Sequence, residues 1–349
     1  MEANLKFVYW FTFYGLESPT VRYRGKYPLD FLKANFGIDS YFIIPGYKWM
    51  QIWSFTKAYI SALLFPKEDS LVVIQSIYSN FVYANSLKFL IKIRKRNTVF
   101  DVDDADYLRY PPGTICFFVK NCETVTVGSA ELHKNLSKHN VNTVLIPCPT
   151  PDLKIVKITP KGTPLTIGWI GDFTKGHKES LLQSFFPALM DLSFPVKLVL
   201  LGVTRKNEFD FLVNYFKGFT HVEVDIPQDI NWNDELEVQN RIKDFDIGIA
   251  TLLDEEFYRS KSAFKTKQCF NNGIPVLSSD IPENNLFVKH GINGYLCNNP
   301  EDFKQRIIEF NEMSQERYQE FSNKARNSIP EFNLERFCSE FMHLKAGKR

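Results

Sequence analysis

The sequence predicts an α/β protein built from two doubly wound parallel sheets, one in each half of its 349 residues. Three observations carry that expectation. Short apolar runs alternate with longer amphipathic ones, the order that parallel sheets with crossover helices require. The alternation halts at a Pro- and Lys-rich stretch, PCPTPDLKIVKITPKGTP, through which no helix can run, and then restarts. The length also suits about two domains.

In the first half, residues 5–13 form a continuous apolar strand, followed by a helix over 27–36 and a second strand over 40–44. A long helix over 49–64 precedes a buried strand at 71–75, and a basic helix over 85–96 precedes a strand at 98–102. Strand 124–128, helix 130–138 and strand 144–146 complete this half. In the second half, strand 165–170 ends at Gly171, and a helix over 179–190 places Leu181, Leu182, Phe185, Phe186, Leu189 and Met190 on one face. Strands follow at 196–201, 246–251, 274–278 and 295–297, the last after an Asn293-Gly294 turn. Segment 235–244 reads as a polar cap on a sheet edge. A helix over 300–313 buries Phe303, Ile307 and Phe310, and a last one over 334–344 ends in a basic tail. The expected organisation is a first Rossmann-like domain over 1–150, a linker over 151–164, a second Rossmann-like domain over 165–330, and a C-terminal helix over 331–349 packing back on the first. Right-handed crossovers set the carboxyl ends of the strands along one edge of each sheet, so that two such edges facing a central cleft would bind ligand.

Composition narrows the function. A net charge of +2 gives no global field for nucleic acid. The six cysteines form no C-x-x-C pair and have no histidine at zinc spacing, as expected of reduced thiols in the cytoplasm. The apolar run at 7–13 is too short for a signal peptide, and no stretch approaches the roughly 20 apolar residues of a membrane span. The segment KFLIKIRKR, 88–96, sets five cations among apolar residues. It reads either as a helix with a basic outer face or as one that rests on the anionic inner face of a membrane.

The stretch RSKSAFKTKQCFNNGIPVLSSDIPENN, 259–285, reads as a polar, Lys-bearing helix start, a helix and a short buried strand. A helix N-terminus offers unpaired N–H groups and the positive end of a dipole, and Lys261 and Lys265 add charge there, which suits phosphate. At helical spacing Lys261, Lys265 and Gln268 share a stripe. Lys267 reads more simply as a surface charge. The loop after the first strand of this half, Gly171 to Lys178, offers a close backbone approach at Gly171 and cations at Lys175 and Lys178. In the first half Asp101, Asp103 and Asp104 end a strand, and carboxylates gathered there need water, a cation or a use. They lack the rest of a calcium loop. Arg22 and Arg24 follow the first strand, where they could meet phosphate or form structural ion pairs.

In order, IGWIGDFTKGHKESLLQSF from Ile167, FDIGIATL from Phe245, SKSAFKTKQCFNNGIPVLSSD from Ser260 and HGINGYLC from His290 resemble the nucleotide-sugar domain of the GT-B glycosyltransferases, specifically the large retaining family four. Matches in the first half are looser. The resemblance implies a glycosyltransferase that moves a sugar from a nucleoside-diphosphate sugar to a glycan or lipid-linked acceptor, with front-face attack and without an essential metal or cofactor. A role in surface polysaccharide or glycoconjugate synthesis goes with it. It places Gly171, Lys175, Lys178, Ser260, Lys261, Lys265 and Gln268 at the donor. Ser260 and Gln268 stand where that family has acidic residues, and Asp172 where it has a basic one. It places Asp103 and Asp104 near the reacting sugar, with Arg22 and Arg24 as acceptor or phosphate ligands. Fold alone does not choose between a retaining transferase, an inverting one, an epimerase and a non-catalytic sugar-nucleotide binder.

Overall fold

The computed structural model describes residues 5–65, 68–76, 81–157 and 160–346. The chain divides into two compact units: residues 1–151, 260–262 and 332–349 form the first, and residues 152–259 and 263–331 the second.

The strands of the first unit are β1 (Phe7–Phe11), β2 (Asp39–Ile43), β3 (Ser70–Gln75), β4 (Thr98–Val102), β5 (Thr124–Val127) and β6 (Thr143–Leu145). They pair in the order β2-β1-β3-β4-β5-β6, every pair parallel. Its helices are α1 (Tyr27–Phe36), α2 (Trp49–Leu64), α3 (Phe81–Arg94), α4 (Gly113–Asn121) and α5 (Ala130–Leu136). The strand order reverses between β1 and β3, which makes their carboxyl ends the switch point of this sheet.

The second unit contains β7 (Leu165–Ile170), α6 (Lys175–Ser180), β8 (Val196–Leu201), α7 (Lys206–Phe216), β9 (Val222–Asp225), α8 (Glu235–Ile242) and β10 (Ile247–Ala250). After these come α9 (Glu256–Arg259), α10 (Phe264–Asn271), β11 (Val276–Ser279), α11 (Pro282–Phe287), β12 (Gly294–Cys297), α12 (Pro300–Glu312) and α13 (Gln315–Arg326). The strands pair in parallel in the order β12-β11-β10-β7-β8-β9, so this sheet reverses between β7 and β10. Trp169, Phe185, Phe186, Phe303 and Phe321 are fully buried in its core.

The last helix, α14 (Leu334–Ala346), sets Phe337, Cys338 and Phe341 into the core of the first unit with Leu29 and Leu32 of α1. Residues 158 and 159 of the expected linker lie outside the described residues. Residues 152–157 and 160–164 belong to the second unit: Lys157 forms a buried ion pair with Asp246, 3.2 Å apart, and the Gly162 N–H donates to the same carboxylate.

Several elements depart from the sequence expectation. The helix expected over 179–190 is three pieces: α6, a π-helical turn at Leu181–Phe185 and a 3₁₀ turn at Phe186–Leu189. Pro187 has no N–H for the i→i−4 ladder, so an α-helix cannot run on through it. Segment 235–244 is a helix rather than a polar cap, because the Asp234 carboxylate accepts from the N–H groups of Leu236 and Glu237 and nucleates α8. The basic helix ends at Arg94, where Lys95 takes a left-handed conformation, φ 56°. Elements α4, α7, β9 and α13 were not expected at all.

Candidate functional site

Each switch point carries its own chemistry. In the first unit a cavity of about 110 Å³ opens beside the carboxyl ends of β1, β3 and β4, lined by Phe13, Tyr14, Thr20, Gln75 and the carboxylates Asp103, Asp104 and Asp106. The Trp10 indole donates to Gln75 Oε1 at 3.1 Å, and Gln75 Nε2 donates to the Thr20 carbonyl at 3.0 Å, which anchors the floor. Thr20 Oγ1 donates to Asp103 Oδ2 at 2.7 Å. Asp103 Oδ1 is buried with no hydrogen-bond partner among the described residues. It sits against Gly128, where a Cβ would fall 2.7 Å from that oxygen. A buried carboxylate oxygen with no donor invites one from a ligand.

Burial raises the Asp103 carboxyl above the usual carboxylate range, with Arg24 pulling it down and Asp104 pushing it up. Burial first, then the nearby Asp104 charge, pushes Asp106 up to about 7, against the opposite pull of Lys261. Asp106 thus titrates near neutrality, a feature that only its surroundings reveal. It was not among the sequence candidates.

The arginines are not free for phosphate. Both lie in a π-helical stretch, Val21–Lys26, rather than on a loop, and both are buried. Arg24 grips Asp101 through Nε and Nη2, with the shortest contact at 2.6 Å, and gives Nη1 to the Ile146 carbonyl at 2.8 Å. Burial works against its charge, yet Asp101 and Asp103 more than offset that and hold it protonated. Asp101 also accepts from Thr126 Oγ1 at 2.8 Å. Arg22 directs Nη1 to the carbonyls of Leu16 and Glu17. Arg24 is the structural ion pair of the two readings that the sequence left open.

Lys261 also corrects its expected place. Helix α10 begins at Phe264, after Ala263 in the left-handed conformation, φ 49°. Lys261 therefore precedes the helix and shares no stripe with Lys265 and Gln268. Residues 260–262 cluster with the first unit, where Lys261 Nζ meets Asp104 Oδ2 at 2.6 Å. Ser260 is fully buried.

In the second unit the first turn of α10 carries Lys265 to the end of β7. Its ammonium is 3.4 Å from His177 Nδ1 and 5.8 Å from the centre of the Trp169 ring. Its Cε occupies the space where a Cβ on Gly171 would stand, 2.8 Å away. Gly171 itself has φ 154°, at the edge of the region that side chains disfavour. The structure thus joins Gly171, His177 and Lys265 at the switch point of this sheet. It directs Lys175 and Lys178 elsewhere: Lys175 is exposed, 4.0 Å from Glu179, and Lys178 lies over the Phe211 ring. Asp172 faces Arg205 at 3.8 Å. Gln268 is buried, and so is Lys267, whose ammonium stands over Phe287 rather than on the surface. His177 was legible only as one member of a loop, because nothing in its spacing shows that it will meet Lys265. Among the described residues, no three His, Cys, Asp or Glu side chains converge to hold a metal.

Known proteins share this architecture. Residues 164–312, the span containing β7 to α12, match the family model described as Glycosyl transferases group 1. Residues 164–312 thus match a glycosyltransferase group 1 domain, and the two six-stranded parallel sheets have the GT-B fold. The fold of the chain is similar over nearly its whole length to that of solved structures of low sequence identity. Anabaena HepE, solved with UDP and glucose, superposes with a TM-score of 0.67 at 10% identity, covering 99% of this chain and 100% of that one. A glycosyltransferase from Rickettsia africae gives 0.66 at 14% identity, with the same coverage. An α-glucosyltransferase solved with UDP and a 13-mer DNA containing a HMU base gives 0.68 at 15% identity, covering 98% of this chain and 100% of that one. No curated protein sequence matches the chain.

Proposed function

We propose that the chain moves a hexosyl group from a nucleoside-diphosphate sugar to a hydroxyl of a glycan or lipid-linked acceptor, with retention of configuration, in surface polysaccharide or glycoconjugate synthesis. One observation carries the donor half: Lys265 is held against Gly171 at the switch point of the second sheet, the place where open α/β sheets take nucleotides. As the bond from the anomeric carbon to the diphosphate oxygen breaks, the electron pair leaves with the diphosphate. An ammonium fixed beforehand beside helix-end N–H groups stabilises that growing charge without reorganisation. Positive side chains would then do what a metal does elsewhere, and no cofactor is needed. The UDP in two of the structural neighbours supports the reading.

The acidic cavity of the first unit supports the acceptor half. Asp103 and Asp106 can accept hydrogen bonds from acceptor hydroxyls when ionised, and an ionised carboxylate there would ease removal of the hydroxyl proton. Lys261 beside Asp104 moderates the negative charge of this group.

Calorimetric titration with UDP and GDP tests the donor half. The expected result is binding of at least one, weakened about tenfold or more in Lys265→Ala, as loss of one charge-assisted contact implies. Unchanged affinity in that variant would overturn the phosphate role of Lys265. The anomeric configuration of the product, read by NMR, tests retention; an inverted product refutes it.

A further inference from the structure

Helix α2 is built inside out. Its inward face is formed by Ala58 and Ala62, both fully buried, and by Phe55 against Phe11, while its tryptophans and Leu64 face outward: Trp49 is 77% exposed, Trp53 61% and Leu64 62%. Trp49, Trp53, Ile60 and Leu64 fall on one helical stripe. A surface helix ordinarily presents the reverse. Helix α3 runs beside it in the same direction. The rings of Phe55 and Tyr83 are 5.0 Å apart near the beginning, and Arg94 donates to the Ala62 carbonyl at 3.1 Å near the end. Phe81 and Val82 extend the exposed apolar area at the beginning of α3.

Charge identifies what covers this face. Residues 40–65 and 81–96 contain no Asp or Glu, yet Lys48, Lys57, Lys92, Lys95 and Arg96 are exposed there. Two copies meeting through this face would set like charges together. A cationic surface with outward tryptophans is complementary to an anionic bilayer, whose boundary favours Trp and whose headgroups attract Lys and Arg. The sequence pointed only to 88–96. Of that segment Arg94 is turned inward to Ala62 and Ser70, and Lys88 donates to Thr114, while the exposed apolar residues come from both α2 and α3.

We infer that the α2–α3 face docks on an anionic lipid bilayer, with Trp49, Trp53 and Phe81 entering the boundary between headgroups and acyl chains and Lys92, Lys95 and Arg96 meeting lipid phosphates. This would be surface attachment, since among the described residues no helix is long and apolar enough to cross a membrane. The inference does not depend on the sugar-transfer reading.

Flotation of the purified full chain with vesicles of phosphatidylcholine alone, or of equal parts phosphatidylcholine and phosphatidylglycerol, tests it. Flotation with the mixed vesicles at low salt, accompanied by a blue shift of tryptophan emission, is expected, with little flotation on phosphatidylcholine alone. The double variant Trp49→Ser, Trp53→Ser should lose vesicle binding with an unchanged melting temperature, because both side chains are exposed. Lys92→Glu should weaken binding about fivefold or more, from the loss of one cation near the surface. Absence of binding to the mixed vesicles, or binding undiminished in the tryptophan variant, would overturn the proposal. So would a concentration-dependent dimer that the tryptophan variant dissolves, since it would assign the face to a second copy.

Discussion

At the carboxyl edge of the first sheet stand three carboxylates, Asp103, Asp104 and Asp106; at the corresponding edge of the second stands an ammonium, Lys265, beside His177. The two sheets have the same number of strands, the same parallel pairing and a reversal of order at the same kind of point. The resemblance extends to the helices, since the helix after β1 and the helix after β7 each contain a π-helical stretch. Topology therefore supplies a switch point in both units, and the few residues placed at the strand ends decide the sign of its charge. An acidic edge suits neutral polyols that donate hydrogen bonds, and a cationic edge suits diphosphate.

Four substitutions would break or sharpen that contrast. The largest effect is expected from Arg24→Ala, which leaves Asp101 buried and uncompensated beside Asp103. Breaking a buried pair from one side costs about 3–5 kcal/mol, so the urea midpoint should fall steeply. An undisturbed midpoint would mean that the acidic edge does not depend on this internal cation. Next, Lys265→Ala should lower turnover about a hundredfold while leaving the melting temperature in place, the usual loss when one fixed donor to a developing anion is removed. If turnover survives, the cationic edge is not where the leaving group is stabilised.

Third, the acidic edge should carry a pH signature. Asp106 holds its proton more tightly in the folded chain, with a pKa of about 7, than it would unfolded. The folded state then binds more protons between about pH 4 and about pH 7, and stability contributed by this group falls as pH rises through that window. Asp106→Asn should flatten this part of a plot of urea midpoint against pH. If the ionised carboxylate assists the acceptor, kcat/KM of the wild type should rise through about pH 7, and the same variant should remove that limb. The smallest effect is expected from Lys261→Ala. Its pair with Asp104 is partly exposed, so stability should change by about 1 kcal/mol or less. A larger loss would show that the cation is integral to the acidic edge.

Much of the scaffold was legible. The boundaries of β7 and β8 follow directly from runs of β-branched and aliphatic residues ending in glycine, because a strand buried on both faces leaves a local apolar signature. Boundaries failed where the deciding feature was not periodic: Pro187 inside an amphipathic run, and Ala263 taking a left-handed conformation that no alanine advertises. The latter error displaced the helix start by a few residues, and it moved Lys261 from the expected phosphate stripe to a partnership with Asp104.

The sequence by itself determined the class of fold, the two sheets, the likeness of its second half to group 1 glycosyltransferases and the presence of carboxylates after β4, since alternation of apolar runs and short motifs are local properties of the chain. Tertiary structure decided what each charge does. It buried Arg24 on Asp101 and Lys267 against Phe287, brought Lys265 to Gly171 and His177, raised Asp106 toward neutrality and turned the tryptophans of α2 outward. The reason is physical: a side chain's charge is fixed by its identity, but its partners, its solvation and hence its proton affinity come from residues distant in sequence that folding alone brings within a few ångströms.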